Sequence, residues 1–232
     1  MWPATSTSPD GHEDAGTAPS VWTSTPRPIN CMRGVDRFIA EWDAGIGGAN
    51  RRYRLKRSSF GNINRNGRPG GLRAPALPHW HPQFPDSIEA GVRDLVLALV
   101  ANGRWISYTS CAGHHYVSPH LPSSERHVGL LPRDDAERTQ LATRLEHVVV
   151  AARRRSRSRA IVPLLAAHAL HDRARSYPVI DLYLSRAADA AWDLYFADID
   201  QETRRVTQLV AEAFHHPLQS RSGGSEEEDE QR

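Results

Sequence analysis

The chain has 232 residues, Lys+Arg 29 against Asp+Glu 27, a formal net charge of +2 and two cysteines. That balance excludes a chain that is basic throughout. Two cysteines exclude a disulfide framework, and no apolar run approaches the ~18 residues that span a bilayer. The expected setting is cytoplasmic, with reduced thiols and no membrane contact.

The two ends differ from the middle. Residues 1–30 are rich in Ser, Thr, Pro and Gly without a hydrophobic period, which predicts a disordered arm. They lack the basic start and apolar run of a signal peptide. Residues 219–232 carry Glu226-Glu227-Glu228-Asp229-Glu230 after a Ser-Gly-Gly-Ser stretch, and like charges in a block predict a solvated tail. Residues 31–218 are expected to form a single domain.

Val35, Phe38, Ile39 and Trp42 recur at helical spacing and predict a short amphipathic helix over Val35–Asp43. Arg51 to Pro85 is irregular and proline-rich, an extended segment that either wraps the core or covers a site. It contains no acidic residue. Its cations are Arg51, Arg52, Arg54, Lys56, Arg57, Arg65, Arg68 and Arg73, interleaved with Tyr53 and Phe60. Basic residues among aromatics can hold phosphates and stack bases, or form a pocket for a carboxylate; the plainer alternative is a solvated surface. A second basic cluster is Arg153, Arg154, Arg155, Arg157 and Arg159.

Asp86 or Ser87 is expected to cap the next helix, whose stripe is Ile88, Val92, Leu95, Val96 and Leu99. Asn102-Gly103 stops it. Trp105 to Thr109 reads as a strand, followed at once by Ser110-Cys111-Ala112-Gly113-His114-His115. Arg126 to Leu131 is a second strand. Asp134 or Asp135 opens a long helix that ends in the second arginine cluster, where cations complement the dipole. Ile161 to Ala169 and Val179 to Leu184 are two more strands, with Pro163 weakening the first. Ala188 to Phe214 is a last helix, with a break expected near Asp198-Ile199-Asp200. The predicted fold is α+β: a mostly antiparallel sheet of about four strands with helices packed on one face.

The loop Ser110 to His115 concentrates chemistry at a strand end. Gly113 permits a tight turn that aims Cys111 and His114 at one point. His127, at the start of the second strand, lies nearby if the two strands are neighbours. Three readings stay open. Cys111, His114 and His127 bind a metal such as zinc, leaving a position for water or substrate. Alternatively, Cys111 is a nucleophile and His114 or His127 moves its proton. In the third, the loop is a plain turn with a packed cysteine and hydrogen-bonded histidines. Ser110, Gly113 and His115 would contact the ligand, and Arg126 and Arg133 would clamp an anion. His79 and His81 flank Trp80 in the proline-rich segment and are further metal-ligand candidates. Asp181, Asp198 and Asp200 are candidate bases or ligands that nothing in the sequence ties to the loop.

The run Thr109-Ser110-Cys111-Ala112-Gly113-His114, after a helix and a strand, resembles two groups of proteins. One is a set of small bacterial and phage proteins with an S-C-x-G-H loop. The other is the wybutosine-synthesis tRNA methyltransferase family, in which arginine follows the loop where this chain has His114. The likeness covers residues 87–131. That second resemblance implies a transferase, S-adenosylmethionine as cofactor and a tRNA base as substrate, with Ser110, Cys111 and Gly113 at the ligand. The expected function is an enzyme acting on a small anionic or nucleotide-like substrate; the alternative is a nucleic-acid-binding accessory or regulatory protein using its arginine-rich segments.

Overall fold

The computed structural model describes residues 20–23, 30–45, 52–69, 71, 73–116, 120–173 and 175–215. Val35, Phe38 and Trp42 are the residues that α1 (Val35–Asp43) buries, as their spacing requires. The Asp172 carboxylate accepts the Gly34 and Val35 N–H groups at 2.9 and 3.0 Å, placing negative charge at the helix N-terminus. Two short strands, β2 (Lys56–Arg57) and β3 (Ile63–Asn64), pair as a hairpin outside the main sheet.

The next helix, α2 (Ala90–Val100), buries Val92, Leu95, Val96, Leu99 and Val100. Neither Asp86 nor Ser87 caps it. Pro85–Ser87 instead forms a 3-10 turn, closed by the Ser87 hydroxyl donating to Phe84 O at 2.7 Å. Glu89 stands at the cap position in extended conformation with no side-chain cap bond. Its carboxylate is engaged elsewhere.

The main sheet contains β4 (Ile106–Cys111), β5 (Arg126–Leu131), β6 (Ile161–Asp172) and β7 (Arg175–Arg186). The order β6-β7-β5-β4 is antiparallel throughout, and β1 (Asn30–Cys31) adds to β6 in parallel. The fold is α+β, as expected. Between β5 and β6 runs α3 (Asp135–Arg155), capped by the Asp134 carboxylate accepting Glu137 N–H at 2.7 Å. The last helix, α4 (Trp192–His215), runs unbroken past Asp198 and Asp200, because buried Tyr195, Ile199, Val206 and Val210 keep the helical period through that point. α2 packs on β4 and β5, α3 on β6 and β7, and α4 lies against both helices. Beneath them Val128, Leu182 and Leu165 form one cross-strand row, each essentially inaccessible.

Strands β6 and β7 both run longer than the expected Ile161–Ala169 and Val179–Leu184. Pro163 is tolerated within β6 because its carbonyl points away from β7 and accepts Arg153 Nε at 2.8 Å. In an antiparallel pair the N position faces the same way, so no ladder bond is lost. On the alternate row, Asp181 is wholly buried and accepts from Tyr108 OH at 2.9 Å, with His168 Nε2 at 3.0 Å.

The arm departs from expectation where it is described. Trp22 bridges to Leu165 of β6, with Thr23 N–H donating to Leu165 O and Leu165 N–H to Val21 O, both at 2.9 Å. The open edge of β6 supplies unpaired backbone groups, and Trp22 Nε1 donates to Glu146 at 2.6 Å. Edge pairing and the packing of Val21 and Trp22 against the core together order this stretch. The remaining arm expectation, and the whole acidic tail at 219–232, lie outside the described residues. No described helix is long and apolar enough to cross a membrane.

Candidate metal centre

Cys111 is the last residue of β4, so Ser110 and Cys111 belong to the strand and the turn begins at Ala112. Gly113 has φ +79, and a Cβ there would stand 3.1 Å from Ser124 O. This turn brings His114 back to pair with Ser124, by N–H to O bonds of 3.0 and 2.9 Å in both directions. His114 therefore returns to the side of Cys111, as the glycine predicted.

The third member of the group is Glu89, which comes from the entrance to α2. Its carboxylate accepts Ala112 N–H at 2.7 Å and Ile63 N–H at 3.3 Å, and lies 3.1 Å from His114 Nε2. The Cys111 sulfur accepts Gly113 N–H at 3.4 Å and is 3.8 Å from Ser124 Oγ. His114 Nδ1 lies 3.1 Å from Phe60 O. A carbonyl only accepts, so Nδ1 carries a proton and Nε2 faces the other two donors. One ligand atom each from Glu89, Cys111 and His114 lies within 4.8 Å of the others.

His114 is buried, and burial disfavours its charged form. Hydrogen bonds to Cys111 and Glu89, with their electrostatic attraction, outweigh that cost and push its pKa up to about 10. The ring stacks on Tyr116 at 5.6 Å between centroids. Burial raises the pKa of the Tyr116 hydroxyl, which exchanges hydrogen bonds with Asn62.

The other expected site residues are placed differently. His127 is the cross-strand partner of Cys111, but its ring stacks on Tyr183 of β7 at 5.0 Å and it is not in the donor cluster. His115 is exposed, bonded to Ser123 Oγ at 2.8 Å and stacked on Phe196. Ser110 lies half-buried on the strand before the site.

Arg126 is buried and cannot clamp an anion. Its guanidinium donates to Ala112 O at 2.7 Å, Thr203 Oγ1 at 2.6 Å and Asp200 Oδ1 at 2.9 Å. It passes so close beneath α2 that a Cβ on Gly91 would stand 2.6 Å from its Nη2. Arg126 is thus the post on which the turn rests. Arg133 sits at the other end of β5, bonded to Asp43, Glu137 and Arg104 O, and ties α1 to α3. His79 packs on Trp42 at 5.0 Å, and His81 Nδ1 accepts Gln83 N–H; neither reaches the centre.

Glu89 was missed because its spacing after Asp86 and Ser87 reads as the opening of a helix. The available signal was an acidic residue at the mouth of the one helix leading into the Cys-His strand. Compared with family models, curated proteins and solved structures, the chain matches none.

Proposed function

We propose that this protein is a metal-dependent enzyme in which Glu89, Cys111 and His114 hold one divalent ion, zinc by donor chemistry, and that its substrate is a small anionic or nucleotide-like molecule. The observation that carries this reading is the orientation of His114. Its Nδ1–H is tied to a backbone carbonyl, the arrangement that fixes a ligating imidazole, while Nε2 faces a carboxylate and a thiol. Zinc-to-donor distances of about 2.0–2.3 Å put ligand atoms about 3–4 Å apart; here Glu89 and His114 Nε2 are 3.1 Å apart and all three donor atoms lie within 4.8 Å of one another. Three protein ligands leave a coordination position open, where such an ion activates water or polarises a substrate oxygen. The Ala112 N–H holds the Glu89 carboxylate, and Arg126 holds the Ala112 carbonyl, so two donors share one support.

The test is metal analysis of protein purified without a tag. About one equivalent of zinc is expected in the native chain, with loss in Cys111→Ala and in His114→Ala. Native protein that remains metal-free after incubation with zinc, and binds none by calorimetry, overturns the reading.

A second reading rests on the same grouping of Glu89, Cys111 and His114. Cys111 would be a nucleophile beside the His114 imidazole, which Glu89 would orient. Rapid alkylation of Cys111 in metal-free protein, slowed in His114→Asn, distinguishes this case.

A further inference from the structure

We propose that Arg52, Arg54 and Arg65 form a binding site for the phosphate or diphosphate group of a small ligand. The proposal extends the enzyme reading by naming the anionic part of its substrate. The three arginines line a cleft of about 410 Å³ with Tyr53 and Pro75. That volume lies in the range of small-molecule sites.

Both walls of the cleft are fixed. On one wall the Gln83 side chain clamps the Tyr53 backbone, accepting its N–H at 2.8 Å and donating to its carbonyl at 3.0 Å. Arg52 and Arg54 flank that clamped residue. On the other wall, buried Asn64 organises the turn that carries Arg65. Its Oδ1 accepts N–H groups of Asn66, Gly67 and Arg68, and its Nδ2 donates to Arg68 O at 2.7 Å. Asn64 also bridges to Arg73, next to the strand pair.

The charge is unbalanced. No acidic residue occurs between Ala44 and Pro85. Among the described residues, no carboxylate and no hydrogen-bond acceptor engages the guanidinium of Arg52, Arg54 or Arg65. Some arginines elsewhere in the fold do meet carboxylates, among them Arg126 with Asp200, Arg133 with Asp43 and Glu137, and Arg175 with Asp36. Three cations held together without a counter-charge repel one another, and a multivalent oxyanion relieves that repulsion while offering acceptors that suit guanidinium forks.

The cleft and the metal centre share one hairpin. Phe60, in its turn, contacts His114, and Ile63 contacts Glu89. Arg65 follows two residues after Ile63, in the turn that Asn64 organises.

The test is calorimetric titration of metal-free full-length protein with pyrophosphate, ADP and a ten-nucleotide single-stranded DNA, each at two salt concentrations. Saturable one-to-one binding of pyrophosphate or ADP is expected, weakened about tenfold or more in Arg54→Ala and in Arg65→Ala, and unchanged in Arg138→Ala, an exposed arginine on α3. Binding no tighter than that of sulfate overturns the proposal and makes the cleft a solvated basic surface. Oligonucleotide binding far tighter than ADP, with a steep salt dependence, also overturns it and makes the segment a nucleic-acid track. Because the protein is metal-free, failure here leaves the metal centre untouched, and failure of the metal analysis leaves this cleft untouched.

Discussion

Cys111 and His127 face each other across the β4–β5 pair, yet the imidazole of His127 leans to its other neighbour and stacks on Tyr183 of β7. The thiol's group instead comprises His114, three residues along the chain, and Glu89. Replacement of His127 by Phe is therefore expected to leave metal stoichiometry unchanged, because Phe preserves the stack. His114→Ala is expected to abolish it. Metal content of the two purified variants checks this, and loss of metal in His127→Phe sinks the assignment of the third ligand to Glu89.

Gly113 has a separable role. Its left-handed backbone costs a non-glycine residue about 1–2 kcal/mol, and an added Cβ would press on Ser124 O. Gly113→Ala is expected to lower unfolding free energy by about that amount. It also displaces the turn that returns His114 to Cys111, so metal affinity falls with it. Denaturant unfolding with and without zinc checks both: the gap between variant and native protein widens when zinc is present. An equal gap in both conditions would mean that the turn does not position the ligands.

Arg126 carries structural weight that an anion-binding residue would not. Asp200 is largely exposed, so its ion pair with Arg126 contributes little, but leaving buried hydrogen-bonding groups unsatisfied costs about 1–3 kcal/mol. Arg126→Met leaves the Ala112 carbonyl, Thr203 and Asp200 without their shared donor. The expected result is a loss of that size in denaturant unfolding, with Arg126→Lys intermediate because an ammonium cannot reach three acceptors in a fork. A near-native midpoint for Arg126→Met would return the side chain to the list of ligand contacts.

What the sequence disclosed follows the range of the interactions involved. The bounds of α1 at Val35 and Asp43 and of β5 at Arg126 and Leu131 are legible because burial on one face imposes a period on neighbouring residues. The Cys111–His114 turn is legible for the same reason, since Gly113 acts locally. Glu89 is not, because it reaches the site only when α2 packs on β4. The neighbourhood of Cys111 and His127 was anticipated, but the side chain's choice of Tyr183 depends on β7, a strand 56 residues further on. Arg126 reads as a free cation until α4 supplies Asp200 and Thr203, 74 and 77 residues later.

The His114–Glu89 pair also sets a pH dependence in the metal-free protein. Burial works against the imidazolium, but its bonds to Cys111 and Glu89 raise the folded-state pKa from 6.5 to about 10. A group whose folded pKa lies above its unfolded value binds its proton more tightly in the native state. Its contribution is full below about 6.5 and is lost as pH climbs toward about 10. Metal-free native protein is thus expected to lose unfolding free energy across that window relative to His114→Asn, which cannot titrate there. Glu89→Gln weakens the attraction and should shrink the difference. The comparison is made by urea unfolding at intervals of pH in the presence of chelator. Parallel profiles for native and His114→Asn proteins would mean that His114 is neutral in the folded state, and that its Nε2 meets Glu89 without a shared charge.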